Sequence, residues 1–274
     1  MPELPEVHTI TKSLHKLLVG KSFTKIEVFV ERLRFPLAPL LDEKILNHPV
    51  VDVRRRARYI VIELKHGHAL VVHLGMTGVF REAQPSDERR KHEHVIFHLD
   101  DGGQLRFECP RRFGSIVPCV LSSPGAEPLM LSQLGVEPLE KPFTARYLHE
   151  QLKKRKCALK IALMDNKIVV GIGNIYAAEI LFKTGISPLR PANNVTLKEC
   201  AALVKMSKDV LNAAILAGGT TFSDYRQLNG SEGKFERELL VYGRKGKPCC
   251  HCSTLVETVT HGGRTSFYCP KCQR

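Results

Sequence analysis

Five of the chain's nine cysteines, Cys249, Cys250, Cys252, Cys269 and Cys272, fall within its last 26 residues. Cys249-x2-Cys252 and Cys269-x2-Cys272 are separated by 16 residues, the spacing of a four-thiolate zinc site in which each of two turns donates two sulfurs. Four protein ligands leave no open coordination position, so the expected Zn2+ is a single structural ion. Cys250 and His251 sit inside the first turn and are alternative ligands unless both point outward. Cys109, Cys119, Cys157 and Cys200 are scattered and read as small buried hydrophobes.

Two basic runs, Arg54-Arg55-Arg56-Ala57-Arg58 and Lys153-Lys154-Arg155-Lys156, are candidate phosphate contacts, although charge runs are commonly solvated faces. In Val169-Val-Gly-Ile-Gly-Asn174, glycines precede a helical pattern, and such a turn can aim N–H groups and the positive end of a helix at a phosphate. The formal charge of +13 supports nucleic acid as the partner, with an affinity that falls steeply with salt.

These groups need elements to position them. Val7, Ile10, Leu14, Leu17 and Leu18 recur at helical spacing, with Pro5 suited to a first helical position and Gly20 to a stop. From Phe23 to about Pro118, short apolar or alternating runs are divided by the turn clusters 65–68 and 100–103, which predicts antiparallel hairpins. A Pro-, Gly- and Ser-containing passage, 122–142, reads as a connection. Helical patterns follow it, with Gly185 and Gly218 stopping two of them, and the cysteine hairpin closes the chain.

The expected order is therefore a β domain over 1–121, a linker over 122–142, a helical domain over 143–240 and a zinc finger over 241–274. With 274 residues, 43% hydrophobic and 25% charged, the chain can bury a real core, which excludes disorder and collagen-like architecture. Neither a signal peptide nor a membrane span is legible, which makes the cytoplasm the expected compartment and no membrane the expected partner.

Several segments together resemble formamidopyrimidine-DNA glycosylases: Met1-Pro-Glu-Leu-Pro-Glu-Val7, Pro110-Arg-Arg-Phe-Gly114, Gly171-Ile-Gly-Asn-Ile-Tyr-Ala177, Val241-Tyr-Gly-Arg-Lys-Gly246 and the terminal cysteine hairpin. The likeness runs from Pro2 to Cys272 in the family's order. It implies an α+β multidomain fold: an N-terminal antiparallel β-sandwich with flanking helices, a helix-two-turn-helix domain and a zinc-finger hairpin, with DNA in the cleft between. It also implies a monomeric, bacterial-type, nucleoid-associated base-excision-repair enzyme. Its partner would be double-stranded DNA carrying oxidised bases or abasic sites, from which it excises oxidised purines such as 8-oxoguanine and formamidopyrimidines before cleaving the strand.

The resemblance gives the opening residues a role. Removal of Met1 would expose the Pro2 secondary amine, whose reference pKa of about 8 leaves a neutral fraction able to attack C1′. Because a secondary amine yields an iminium with no N–H to lose, the intermediate stays cationic and promotes elimination of the 3′ phosphate. Glu3 matches the acid that protonates the sugar ring oxygen, and Glu6 a second acid that assists nearby. By position alone, both acids also suit the first turn of a helix.

A stacked base must be flipped and its place filled. Met76, Arg111 and Phe113 match the void-filling residues, His92, Arg155 and Lys160 match DNA-contacting positions, and Asn174 matches the phosphate-binding helix start. Arg264, in the zinc hairpin, matches the arginine that grips the phosphates flanking the flipped nucleotide and takes part in the second elimination.

Three positions depart from the family pattern. Arg58 replaces a lysine assigned to phosphate contact and the first elimination; arginine keeps the contact but is almost never deprotonated. Cys109 stands where an aspartate commonly precedes Pro-Arg-Arg-Phe, a change expected to loosen the wedge loop. Ser223, within the segment 218–234 that aligns with the lesion-covering loop, occupies a position that is often basic. The alternatives are an endonuclease VIII-like enzyme for oxidised pyrimidines and a non-catalytic zinc protein that holds damaged DNA.

Overall fold

The structure, a computed structural model, describes residues 1–221, 228 and 230–274. Ser223 and much of the segment aligned with the lesion-covering loop lie outside the described residues. By packing, the chain groups into two units: Met1–Ser132 with Ala217–Lys234, and Gln133–Leu216 with Phe235–Arg274.

In the first unit, helix α1 (Leu4–Leu18) starts one residue earlier than the pattern suggests, because Glu3 rather than Leu4 is its N-cap. Pro5 sits in the first turn, where a missing N–H costs nothing. The helix ends at Val19, and Gly20 takes the positive φ of +88° beyond it.

Eight antiparallel strands follow: β1 (Phe23–Val28), β2 (Val50–Arg56), β3 (Tyr59–Leu64), β4 (His68–His73), β5 (Val79–Ala83), β6 (Glu93–Leu99), β7 (Gln104–Glu108) and β8 (Ser115–Val120). They form two four-stranded sheets ordered β1-β6-β7-β5 and β2-β3-β4-β8. Inward residues of both sheets, among them Phe23, Phe97, Phe107, Ile60 and Val72, share one core with Val7, Ile10, Leu14 and Leu18 of α1. Its driving force is the removal of apolar surface from water. The result is a β-sandwich with a covering helix.

Two connections of this sandwich matter for the site. The β4–β5 turn folds back on itself, with the Gly78 N–H donating to the Leu74 carbonyl at 2.8 Å. The β7–β8 loop, 109–114, lies against it so closely that a Cβ on Gly75 would stand 2.5 Å from the Phe113 carbonyl carbon.

The second unit holds helices α2 (Ala145–Lys153), α3 (Leu159–Leu163), α4 (Asn174–Thr184) and α5 (Leu197–Leu216), then the hairpin β9 (Glu257–His261) and β10 (Arg264–Tyr268). Thr144 caps α2 by accepting the Tyr147 N–H at 3.1 Å. Gly185 ends α4 in the left-handed conformation, φ 70°. The buried Glu179 carboxylate accepts the N–H groups of Leu240, Val241 and Tyr242 at 2.9 to 3.0 Å, which fixes the lead into the hairpin. Among the described residues, no helix is long and apolar enough to cross a membrane.

Candidate nucleic-acid interface and metal centre

At the chain's start, Glu3 and Glu6 form a reciprocal capping box: the Glu3 side chain accepts the Glu6 N–H, and Glu6 Oε2 accepts the Glu3 N–H at 2.8 Å. The other Glu6 oxygen accepts the Thr220 N–H at 2.7 Å. Gly219, at φ +85°, passes so near that a Cβ there would lie 2.9 Å from Glu6 Oε1. Both acids are buried and serve the helix start, and Glu6 additionally ties Ala217–Lys234 to the first unit. Pro2 is buried behind an exposed Met1.

Met1 lines a cavity of about 520 Å³, together with Arg32, Arg34, His73 and the expected wedge residues Met76, Arg111 and Phe113. Met76 and Phe113 are the exposed apolar tips, 39% and 51% accessible, a state that water disfavours unless a partner covers them. They come from different connections, one between β4 and β5 and the other between β7 and β8. The Arg111 N–H donates to Thr77 Oγ1 at 3.3 Å and joins the two, while the Arg111 guanidinium stands 5.0 Å from the Phe113 ring centre. Arg112 takes a positive φ of 55°, which reverses the loop between Arg111 and Phe113.

His73, at the end of β4, is a candidate the sequence reading missed. Its Nδ1 accepts the Gly75 N–H at 3.0 Å, so the neutral ring carries its proton on Nε2. Burial, with the charges of Arg58 and Arg34 beside it, pushes its pKa down to about 4. The ring is therefore a neutral donor at pH 7. The available signal was a polar residue closing the apolar run of β4 just before Leu74-Gly75-Met76.

Arg58 follows Ala57, whose φ of 55° suits the two-residue β2–β3 turn. The residue is buried, only 7% exposed, and Nη1 comes within 4.0 Å of Met1 Sδ, which brings it to the chain's start. The rest of that basic run is committed to protein partners. Arg54 bonds Glu63 at 2.6 Å and the Ala126 carbonyl, Arg56 bonds Glu127, and Arg55 bonds the Ala57 carbonyl at 2.8 Å. Arg54 and Arg56 tie the connecting passage to β2 and β3 and are engaged there rather than free for phosphate, while Arg55 is held at the β2–β3 turn. His92 is half-buried, and its carbonyl accepts the Cys109 N–H at 2.9 Å.

In the second unit, Asn174 opens α4 after Gly173. Lys160, expected among the DNA contacts, is only 1% exposed. Its Nζ donates to Asn174 Oδ1 at 2.6 Å, Ser266 Oγ at 3.0 Å and the Thr265 carbonyl at 3.2 Å. Asn174 Nδ2 donates to the same carbonyl at 3.0 Å. A buried ammonium is tolerated when its three protons are all placed, so Lys160 joins the start of α4 to β10 from inside. Arg264 stands exposed at the head of β10, with no ion pair among the described residues. Arg155 is half-exposed and paired with Asp165 at 3.2 Å.

Cys249, Cys252, Cys269 and Cys272 converge: their four sulfurs all lie within 4.8 Å of one another, with Cys249–Cys272 at 3.9 Å and Cys252–Cys269 at 3.5 Å. Zinc–sulfur bonds of about 2.3 Å in a tetrahedron put sulfurs about 3.8 Å apart, so the set fits Zn2+. Cys250 is exposed and outside this cluster, as is His251, whose ring lies 4.9 Å from that of Phe182. With four thiolates the chemistry available at the metal is structural, closing the knuckles that carry β9 and β10.

Three family models match the chain: the formamidopyrimidine-DNA glycosylase N-terminal domain over residues 1–116, the formamidopyrimidine-DNA glycosylase H2TH domain over 134–226, and the zinc finger found in FPG and IleRS over 246–274. A formamidopyrimidine-DNA glycosylase of Laribacter hongkongensis is 45% identical over 274 residues, with each chain fully covered. Among solved structures, a Lactococcus lactis FPG mutant in complex with Fapy-dG containing DNA is 30% identical with a TM-score of 0.91, each chain fully covered. MutM (FPG) from Thermus thermophilus is 36% identical with a TM-score of 0.87, covering 99% of this chain and 98% of its own.

Proposed function

The chain belongs to the formamidopyrimidine-DNA glycosylase family, and on that footing we propose that it is a bifunctional base-excision-repair enzyme. It excises oxidised purines, 8-oxoguanine and formamidopyrimidines, from double-stranded DNA and then cleaves the strand as an abasic-site lyase. It works as a monomer in the cytoplasm, on the nucleoid. The observation that carries this reading is the cavity where Met1 meets His73, Met76, Arg111 and Phe113: the chain's start and the wedge share one space.

Loss of Met1 turns the Pro2 nitrogen from an amide into a secondary amine with a reference pKa near 8. Its lone pair bonds to C1′ as the bond from C1′ to the base breaks, and the base leaves with a proton. Glu3, next in the chain, delivers a proton to the sugar ring oxygen so that the ring opens and the Pro2 iminium forms. The cationic nitrogen then draws the electrons of a C2′–H bond as the proton passes to water, the 3′ C–O bond breaks, and phosphate departs with the electron pair.

Glu6 supports this step from behind, since its carboxylate fixes the Glu3 backbone through the 2.8 Å bond. Arg58 holds phosphate by charge rather than by moving a proton. Met76 and Phe113 occupy the place of the extruded nucleotide and Arg111 meets the orphaned base. His92, Arg155, Asn174 and Arg264 hold the DNA backbone, with Arg264 also assisting the second elimination. Cys249, Cys252, Cys269 and Cys272 hold one Zn2+, which when bound supplies rigidity to the hairpin that presents Arg264.

Borohydride trapping on a duplex with one 8-oxoguanine tests the reading. Met-free protein is expected to give a covalent adduct at Pro2 together with base release and strand scission. An N-terminally extended form, in which Pro2 is an amide, is expected to give none. Binding without adduct or base release from Met-free protein would leave a damaged-DNA-binding protein, and preference for an oxidised-pyrimidine duplex would move the substrate class.

A further inference from the structure

We propose that Cys109 and Thr77 are positioning residues that form a buried clamp under the wedge loop and set the height from which Phe113 and Arg111 enter a duplex. The proposal rests on the glycosylase reading, because a wedge has a task only where a nucleotide leaves the stack.

Cys109 directly follows β7 and is fully buried. Its sulfur accepts the Gly114 N–H at 3.4 Å. The Cys109 carbonyl closes the turn by accepting the Arg112 N–H at 3.0 Å. Thr77 joins the arrangement from the neighbouring connection, its hydroxyl oxygen accepting the Arg111 N–H at 3.3 Å. The N–H groups of Arg111, Arg112 and Gly114 are thereby held by the Thr77 hydroxyl, the Cys109 carbonyl and the Cys109 sulfur respectively.

The space is tight as well as bonded. A Cβ on Gly114 would fall 3.2 Å from the Cys109 sulfur and 2.9 Å from Phe107 Cζ, so the loop packs against the sandwich with no room for a side chain here. Phe113 is half-exposed, on a backbone held on both sides by the Arg112 and Gly114 N–H groups. The thiol is pushed up from its ordinary range by burial, so it holds the Gly114 N–H as a neutral group without attracting the guanidinium groups of Arg111 and Arg112. That leaves Arg111 for the orphaned base.

The test compares single-turnover excision by the full zinc-loaded chain on two duplexes with the same oxidised purine. In one the lesion faces a normal base; in the other it faces an abasic gap, so no orphaned base has to be met. Cys109→Ala and Thr77→Val are each expected to slow excision about tenfold on the paired duplex and less than about threefold on the gapped one, as loss of a hydrogen bond used in one process only would do. Cys109→Ser, which keeps a short acceptor, is expected to recover part of the loss and serves if the alanine variant does not fold. Unchanged excision by Thr77→Val and Cys109→Ser, or equal loss on both duplexes, overturns the clamp. A parent protein that excises from neither duplex overturns the glycosylase reading instead, and the clamp with it.

Discussion

Glu6 and Thr220, 214 positions apart in the chain, meet through a 2.7 Å hydrogen bond from the Thr220 N–H to Glu6 Oε1, while the other oxygen of the same carboxylate holds the Glu3 N–H. One side chain thus fixes both the start of α1 and the return of Ala217–Lys234 to the first unit. Glu6→Gln keeps the shape but replaces one acceptor with a donor facing an N–H. The expected loss is about 2 kcal/mol of stability, read from denaturant unfolding, because a buried donor is left unsatisfied. Trapping efficiency at Pro2 is expected to fall with it; a variant as stable and active as the parent would contradict the link.

His73 makes stability depend on pH. Its folded-state pKa is about 4 against an ordinary 6.5, so between those values the unfolded chain binds the proton and the folded one does not. Folding stability therefore falls as pH drops from about 6.5 towards 4, by up to about 3 kcal/mol, and is unaffected by this group above pH 7. In His73→Gln that segment of the stability profile is expected to flatten. A profile with the parent's slope would show that the ring is not the group responsible.

Removing one thiolate should separate the roles of the metal and of the fold. Cys269 is fully buried within the sulfur cluster. Cys269→Ser is expected to lose the bound zinc, measured by metal analysis, and with it duplex affinity, while the far-ultraviolet signal of the sandwich persists. Full duplex affinity in zinc-free protein would show that the hairpin does not need the ion.

Lys160 and Arg264 are expected to differ in salt dependence. Lys160 spends its protons on Asn174, Thr265 and Ser266, so Lys160→Met is expected to cost at least about 2 kcal/mol of stability through unsatisfied acceptors and to leave the slope of log affinity against log salt unchanged. Arg264→Ala is expected to reduce that slope by about 1, the loss of one phosphate contact. A reduced slope in Lys160→Met would return the lysine to the DNA surface.

What was legible in the sequence follows from local rules. The cysteine spacing specified the metal cluster because knuckle geometry is set within a few residues, and the periods of 3.6 and 2 marked α1, the hairpins, α4 and α5 because burial repeats with the element. The order of motifs from Pro2 to Cys272 was enough to place the chain in its family. Spacing carries no information about which neighbour a charged or polar group will meet, and there only the tertiary structure could decide. It turned Arg54 and Arg56 towards Glu63 and Glu127, withdrew Lys160 into the interior, and brought His73 to the cavity. It also made Cys109, read from the chain as a weakness, the buried acceptor for the wedge loop. The reason is common to all of these: a buried donor or charge must find its partner wherever the packed chain delivers one, and that delivery depends on contacts between residues far apart in sequence.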